Sequence, residues 1–295
     1  MQMRPEQLAA LVAIVDHGTF DAAARHLSVT PSAVSQRVRA LESEVGRVLL
    51  VRSTPVRTTA AGAVLLRLAR QQLLLEREAL TELAAGESAG GAARVDLPLA
   101  VNADSLATWF TAAVHACAAW PGITLRLHVE DQDHSAALLR AGAVLGAITS
   151  DPVPVQGCDV ERLGVMRYLP VATAEIAERH SRGRGYDWAE MPMIRFNDKD
   201  DLQHRVLAAH GVDAEPPTHY VPSSQAFVDA VYAGLGWGMV PEDQMGDGLA
   251  TGRLVRLGAR ARADVPLYWQ RWRLRSTHVE RLTGTVRDAA RVLRR

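Results

Sequence analysis

Lysine is almost missing from this chain of 295 residues: Lys199 stands alone beside 32 arginines, which reads as codon-composition bias and not as chemistry. Cysteine is scarce as well. Cys117 and Cys158 have neither zinc-site spacing nor the pattern of a disulfide framework, so they read as reduced thiols in a cytosol. No run of eighteen or more apolar residues occurs, which excludes a spanning helix, and MQMRPEQ at the start has no apolar segment of the kind that directs export. The expectation is a cytoplasmic protein with no membrane partner.

Net charge is also absent, with 33 basic and 33 acidic residues, but the balance shifts along the chain. Residues 1–85 hold ten basic and eight acidic residues, 86–250 hold 11 and 22, and 251–295 hold 12 and three. A basic tail following an acidic middle reads as arginines paired with that middle or solvated on a last helix, in preference to a second nucleic-acid site. Length and a hydrophobic content of 48% fit two or three domains with ordinary cores.

The most informative stretch is TPSAVSQRVRALESEV, Thr30 to Val45. Thr30 followed by Pro31 is a helix start, because the hydroxyl accepts from an unpaired amide and the proline lacks an N–H that would be orphaned anyway. At 100° per residue, Val34, Val38, Leu41 and Val45 fall within about 60° of one another. The opposite side carries Ser32, Gln36, Arg39 and Ser43, with Ser35 at its edge and Arg37 on the far flank. Hydroxyls, an amide and guanidinium groups are what read base edges and phosphates in a major groove. Before it, Leu8, Leu11, Val12 and Val15 mark a first helix, His17-Gly18 breaks it, Phe20 can plug the core, and residues 21–27 form a compact second helix. Helix, short turn, helix is the helix-turn-helix arrangement. Gly46 then caps, and residues 48–51 and 56–58 read as two strands of a wing, with Arg52 and Arg57 placed for phosphates or a minor groove. Double-stranded DNA is therefore the expected partner. A plain helical bundle leaves the polar face unexplained.

Thr58 or Thr59 caps a long helix over residues 59–85, roughly 40 Å at 1.5 Å per residue. Its apolar positions, Leu73 and Leu80 among them, point to a second copy of the chain as partner. Packing on the same chain's later domain is the alternative. GESAGGAA, residues 86–93, reads as a hinge.

From Val95 strands alternate with helices, the mark of parallel sheet with crossover helices. Strands are expected at 95–101, 124–129, 144–148, 169–171, 192–196, 219–221, 238–240 and 267–272, and helices at 105–120, 136–141, 201–210, 225–233 and 279–293. Crossings near Leu163-Gly164 and Asp264-Pro266 divide this α/β region into two subdomains around a cleft. The expected organisation is a mainly α winged helix-turn-helix domain (1–58), a linker helix and hinge (59–91), and an effector domain (92–295). The last comprises subdomain I, 92–163 with 266–295, and subdomain II, 164–265.

Ligand candidates sit where strands end at that cleft. Asp104 and Ser105 open one helix, Ser223 and Ser224 another, and amides and hydroxyls at helix starts suit a carboxylate. Glu130 and Asp131 end a further strand, and Asp198 lies in a loop, carboxylates that suit an ammonium or guanidinium group. Trp109, one turn into the first helix, could wall an aliphatic stem or belong to the core. The scattered histidines show no metal-ligand spacing, and Gly234-Leu235-Gly236-Trp237-Gly238 follows a helix and precedes a strand, the reverse of a dinucleotide loop, so neither cofactor nor catalysis is expected. An amino-acid-processing enzyme leaves residues 1–58 unexplained. An architectural or replication-origin DNA-binding protein leaves the cleft unexplained.

FDAAARHLSVTPSAVSQRVRALESEVGRVLL followed by VRTTAAG resembles the N-terminal domain of LysR-type transcriptional regulators, and the resemblance runs through the chain, with Leu50 where that family commonly has Phe. LAVNADSLATWF, LHVEDQD and SSQAFV resemble its ArgP/LysG branch, regulators of basic amino-acid export. The resemblance implies an effector domain similar to periplasmic solute-binding proteins and a basic amino acid as effector, lysine first. It also implies a homodimer through the linker helix, with pairing into tetramers left open, and RNA polymerase as a further partner.

Overall fold

The computed structural model describes residues 3–84, 95–129 and 132–295; the expected hinge at 86–93, Glu130 and Asp131 lie outside the described residues. The chain starts with α1 (Pro5–His17), α2 (Phe20–His26) and α3 (Pro31–Val45). Gly18 closes α1 at φ 73°, the Thr19 hydroxyl accepts from the Ala22 amide, and the Thr30 hydroxyl accepts from the Ala33 amide at 3.2 Å. Ala23 and Ala24, both buried, let α2 lie close to its neighbours, and Leu8, Leu11, Ile14, Val34, Val38 and Leu41 fill the space between the helices. Each such side chain contributes about 1.5–3 kcal/mol by leaving water. The wing is shorter than expected: β1 (Leu50–Val51) pairs antiparallel with β2 (Arg57–Thr58). Glu42 turns back from α3 to accept the Leu49 amide at 2.8 Å, which fixes the wing to the recognition helix.

Thr59 caps α4 (Ala60–Ala84) by accepting from the Gly62 amide at 3.0 Å, and it donates to the Val48 carbonyl at 2.8 Å. Gly62 is obligatory here, since a Cβ would stand 1.9 Å from the Leu49 carbonyl oxygen. The faces of α4 divide. Leu66 and Ala69 join the winged-helix core, while Leu74 joins the core of the effector domain. Val64, Leu68 and Leu75, within about 40° of one another at 100° per residue, stay exposed. Leu73 is half-buried and Leu80 exposed. One side of the helix thus rests on its own chain and another stripe is left open.

Lobe I consists of β3 (Val95–Val101), α5 (Ala103–Ala107), α6 (Phe110–Ala118), β4 (Ile123–Val129), α7 (Gln132–Arg140) and β5 (Gly146–Thr149). β3 pairs parallel with both β4 and β5. Then comes a feature not anticipated: β6 is one strand of 16 residues, Cys158–Thr173, where only 169–171 was expected. Lobe II follows with α8 (Ala174–Arg179), the small hairpin of β7 (Ser181–Arg182) and β8 (Gly185–Tyr186), β9 (Met193–Arg195), α9 (Leu202–Ala209), β10 (Thr218–Tyr220), α10 (Ser224–Tyr232), β11 (Gly238–Pro241) and β12 (Leu254–Arg256). The chain returns through β13 (Ala263–Trp272) and ends with α11 (Thr277–Ala289).

β13 pairs antiparallel with β6 along its whole length and with β5, and β11 and β12 pair antiparallel with β6. The expected parallel sheet is present as a parallel centre in each lobe, and an antiparallel ribbon that was not expected joins the two. Charged residues hid that ribbon from the sequence, because they are cross-strand pairs and not loop residues. Arg167 meets Asp264 at 2.6 Å, directly opposite in register, and Arg273 meets Asp159 at 2.9 Å. Arg287 of α11 pairs with Glu161 and Arg294 with Glu242, so several tail arginines pair with the acidic middle.

The helix expected over 105–120 is broken at Thr108 and Trp109. Thr108 turns its hydroxyl onto the Asp104 carbonyl at 2.6 Å, and the break lets adjacent Trp109 and Phe110 both enter the core in an edge contact, centroids 5.5 Å apart. A continuous helix would separate them by about 100° around its axis.

Candidate nucleic-acid interface and effector cleft

On α3, the buried stripe Val34, Val38 and Leu41 turns Ser32, Gln36, Arg39 and Ser43 to solvent, with Ser35 and Arg37 half-exposed at the flanks. Thr30 and Ser32 share a hydrogen bond of 3.0 Å at the start of the helix. The engagement of Glu42 with the wing holds one acid of α3 on amides of its own chain. Arg52 lies over the Phe20 ring at 5.7 Å, and Arg57 is exposed on β2. Hydroxyl, amide and guanidinium ends thus cover one convex face, the geometry a major groove accepts.

Between the lobes lies a cleft of about 750 Å3. Val129, Phe196, Phe227, Met239 and Leu267 give it apolar walls; Asn102, Asp104, Asp200, Ser224 and Gln244 give it polar ones. A second depression, about 690 Å3, lies on the outer face of lobe II beside α8 and α10; Gln244 lines both.

Asp104 is the centre of the polar side. Its carboxylate accepts from the Ser224 hydroxyl at 2.6 Å and from the Tyr168 hydroxyl at 2.8 Å, so a residue of lobe I is held by two of lobe II. Gln244 donates in turn to Ser224 at 3.0 Å. Burial pushes the Asp104 carboxyl above its ordinary value, against the opposing effect of those two hydroxyls, with Asp200 adding to the rise. The Tyr168 hydroxyl is pushed well above its ordinary value by burial and by the Asp104 charge, so it remains a donor. Among the described residues no cation is paired with Asp104. The side-chain oxygen of Asn102, one of the cleft-lining residues, is buried without a hydrogen-bond partner. An acceptor-rich corner with its charge uncompensated is suited to an ammonium or guanidinium ligand.

The other candidates are placed differently. Ser105 is fully buried with its hydroxyl unpartnered, and neither it nor Trp109, 5% exposed and in the core of lobe I, lines the cleft. Ser223 is exposed and engaged as the cap of α10, accepting from the Ala226 amide. Asp198 is exposed; its carbonyl receives the buried Arg195 guanidinium at 2.7 Å, which shapes the loop before α9. Asp200 accepts from the Phe196 amide and from Gln203. Tyr168, Asn102 and Gln244 were missed. Asn102 lay inside the strand-to-helix run already singled out, but Tyr168 on β6 and Gln244 in the helical turn after β11 are remote in sequence, and no local pattern links them to Asp104.

A convex polar helix on a winged helix-turn-helix, carried by a long helix on a two-lobed domain with a polar cleft, defines a ligand-responsive DNA-binding regulator. The bacterial regulatory helix-turn-helix protein model of the lysR family matches residues 5–63, and the LysR substrate binding domain model matches residues 93–291. The lysine export transcriptional regulatory protein LysG of Corynebacterium efficiens is 47% identical over 291 residues, 98% of each chain. The crystal structure of ArgP from Mycobacterium tuberculosis superposes with a TM-score of 0.89 at 48% identity, covering 100% of this chain and 99% of that one. Full-length LysG from Corynebacterium glutamicum with bound effector Arg superposes with a TM-score of 0.84 at 44% identity, covering 99% and 100%. The chain belongs to the LysR family of transcriptional regulators, in its LysG/ArgP branch.

Proposed function

We propose that the protein binds an operator through α3 and the wing and alters its grip when a basic amino acid, lysine or arginine, enters the cleft, and that it controls an amino-acid exporter gene. The observation that carries the ligand is Asp104: a carboxyl whose pKa is raised by burial, held among the described residues by two hydroxyls, at the edge of a cleft of amino-acid size. A cation there supplies the charge that the two hydroxyls lack. The relative from C. glutamicum with bound effector Arg supports that class. Asp104, Ser224 and Asn102 are the first candidates for contact. Glu130 and Asp131, which follow the cleft-lining Val129, are kept as partners for a second cationic end. Ser105, Ser223, Trp109 and Asp198 act on the ligand only through the residues they support.

The same reading takes DNA contacts from Thr30, Ser32, Ser35, Gln36, Arg37, Arg39, Arg52 and Arg57. It takes a homodimer from the open stripe of α4, with tetramers and RNA polymerase as further assemblies. Units 1–58, 59–91 and 92–295 are kept as the domains, supported by the largely separate cores of the winged helix and the effector domain. No helix among the described residues is long and apolar enough to cross a membrane, which fits a cytoplasmic regulator, and the relatives are regulators, which fits a role without catalysis or cofactor.

Calorimetry on the full chain with lysine, arginine, histidine and leucine tests the ligand. Heat with lysine or arginine and none with leucine is expected. Leucine binding as tightly as lysine would remove the basic amino acid and leave the family standing. Footprinting with and without the amino acid then tests the coupling to DNA.

A further inference from the structure

The described structure fastens α4 to its own effector domain at three places, and one of these also holds the winged helix. Arg67 donates to the Gln156 carbonyl at 2.9 Å. One turn further, Arg70 donates to the Ala141 carbonyl at 3.4 Å and, through its other terminal nitrogen, to the Asp16 carboxylate of α1. Two turns beyond, Glu78 accepts from the Ser276 hydroxyl and from the His278 amide at the start of α11. At Arg67 the helix backbone lies against Gly142, whose φ is 67° and where a Cβ would stand 2.6 Å from the Arg67 Cα. No slack separates α4 from the end of α7 there.

Three details single out Arg70. Asp16 is in the last turn of α1, where the helix dipole disfavours an acid, and the Arg70 guanidinium offsets that cost. The Arg70 side chain is 16% exposed, so this pair is less screened than a surface ion pair. The guanidinium is also a planar fork able to hold two acceptors at once, one in each domain. α7 joins the two ends of the route: it begins three residues after Val129 of the cleft wall and leads into the carbonyl and glycine that face Arg70 and Arg67.

We propose that Arg70 is the positioning residue that sets the orientation of the winged helix against lobe I, so that movement of α7, which follows the cleft-lining Val129 in the chain, is delivered through α4 and Asp16 to α1 and the DNA-reading face. The delivery step rests on the effector reading above; the orientation step does not. A guanidinium shared between a carbonyl and a carboxylate can lose one partner and keep the other, which gives two discrete arrangements and not a continuous flexing.

The test uses full-length protein and three variants, Arg70→Ala, Arg70→Lys and Asp16→Asn. Spin labels at Asp21→Cys on α2 and Ala112→Cys on α6 of lobe I, both exposed positions, diluted with unlabelled chain, report the orientation without any ligand. A narrow distance distribution in the parent should broaden or move in Arg70→Ala and, because lysine keeps the charge but not the fork, in Arg70→Lys as well; an unchanged distribution in Arg70→Ala overturns the proposal. Lysine and arginine are then added to operator complexes. In Arg70→Ala and Asp16→Asn the amino-acid-induced change in operator affinity should shrink to about twofold or less, from the 5- to 150-fold range typical of coupled sites, while amino-acid affinity by calorimetry stays within about twofold of the parent. A full response in Arg70→Ala, or loss of amino-acid binding with it, overturns the delivery step. A parent chain that binds no basic amino acid removes the effector reading alone, because the spin-label result stands apart from it.

Discussion

On α3, Ser32, Gln36, Arg39 and Ser43 hold their polar ends in solvent, and on α4 Val64, Leu68 and Leu75 hold apolar ones there. In the cleft several polar groups already have partners: Asp104 with Ser224 and Tyr168, Asp264 with Arg167, Asp201 with Arg205. Residues 3–84 leave polar and apolar stripes open to solvent, whereas the hydroxyls around Asp104 are engaged within the chain. DNA and a second copy can therefore dock without breaking internal bonds. A ligand has to exchange them, and exchange across the lobes is what lets binding change shape.

The largest expected effect lies on the open side of this contrast. Each exposed leucine of α4 that becomes buried in a dimer contributes about 1.5–3 kcal/mol, and twofold symmetry doubles it. Leu75→Asp should give monomers on sedimentation that no longer protect an operator; dimers of unchanged strength would move the interface off this stripe. Next come the DNA contacts. Arg39→Ala or Gln36→Ala should lower specific affinity by roughly 1–3 kcal/mol with the melting temperature unaltered, since neither side chain supports the core. Arg52→Ala should weaken specific and random DNA alike and flatten the salt dependence. Equal losses on random DNA for all three would mean the reading face is misplaced.

Substituting an engaged group should change two properties together. A charge-assisted hydrogen bond contributes about 1.5–3 kcal/mol, so Asp104→Asn should weaken lysine or arginine about tenfold or more. It should also raise the melting temperature of the ligand-free protein near neutral pH. The sign follows from the raised carboxyl: below the ordinary carboxylate range both folded and unfolded chains are protonated there and nothing is lost. As pH rises, the unfolded chain ionises first and stability falls, levelling once the folded carboxyl has ionised too. The gain of the Asn variant should therefore close on acidification. A gap that widened instead would place the carboxylate in a stabilising role.

How far the sequence disclosed these sites follows the same division. The winged helix was legible because its signals are local: the Val34, Val38, Leu41 stripe, the Thr30 cap and Gly46 all act within four or five residues. Asp104 and Ser224 were legible as polar residues at strand-to-helix junctions. Their bond to each other, across 120 positions, was not, nor was Tyr168, because such partners are fixed by the β6 and β13 ribbon. That ribbon was itself obscured by Asp159, Glu161, Arg167 and Arg271, which resemble solvated loop residues until their partners are in view.

The smallest effect separates two neighbouring serines. Ser223 caps α10 and Ser224 holds Asp104, so the same hydroxyl deletion one position apart should give different outcomes. Ser223→Ala should cost about 1 kcal/mol of stability, the usual consequence of losing an N-cap, and leave lysine affinity unchanged. Ser224→Ala removes a hydrogen bond that lowers the Asp104 carboxyl, so that carboxyl should rise further and binding of the cation should weaken first at mildly acidic pH. Calorimetry on both variants across pH makes the comparison. If Ser223→Ala weakened lysine as much as Ser224→Ala, the start of α10 itself would be holding the ligand's carboxylate, and the cation at Asp104 would lose its claim to be the principal contact.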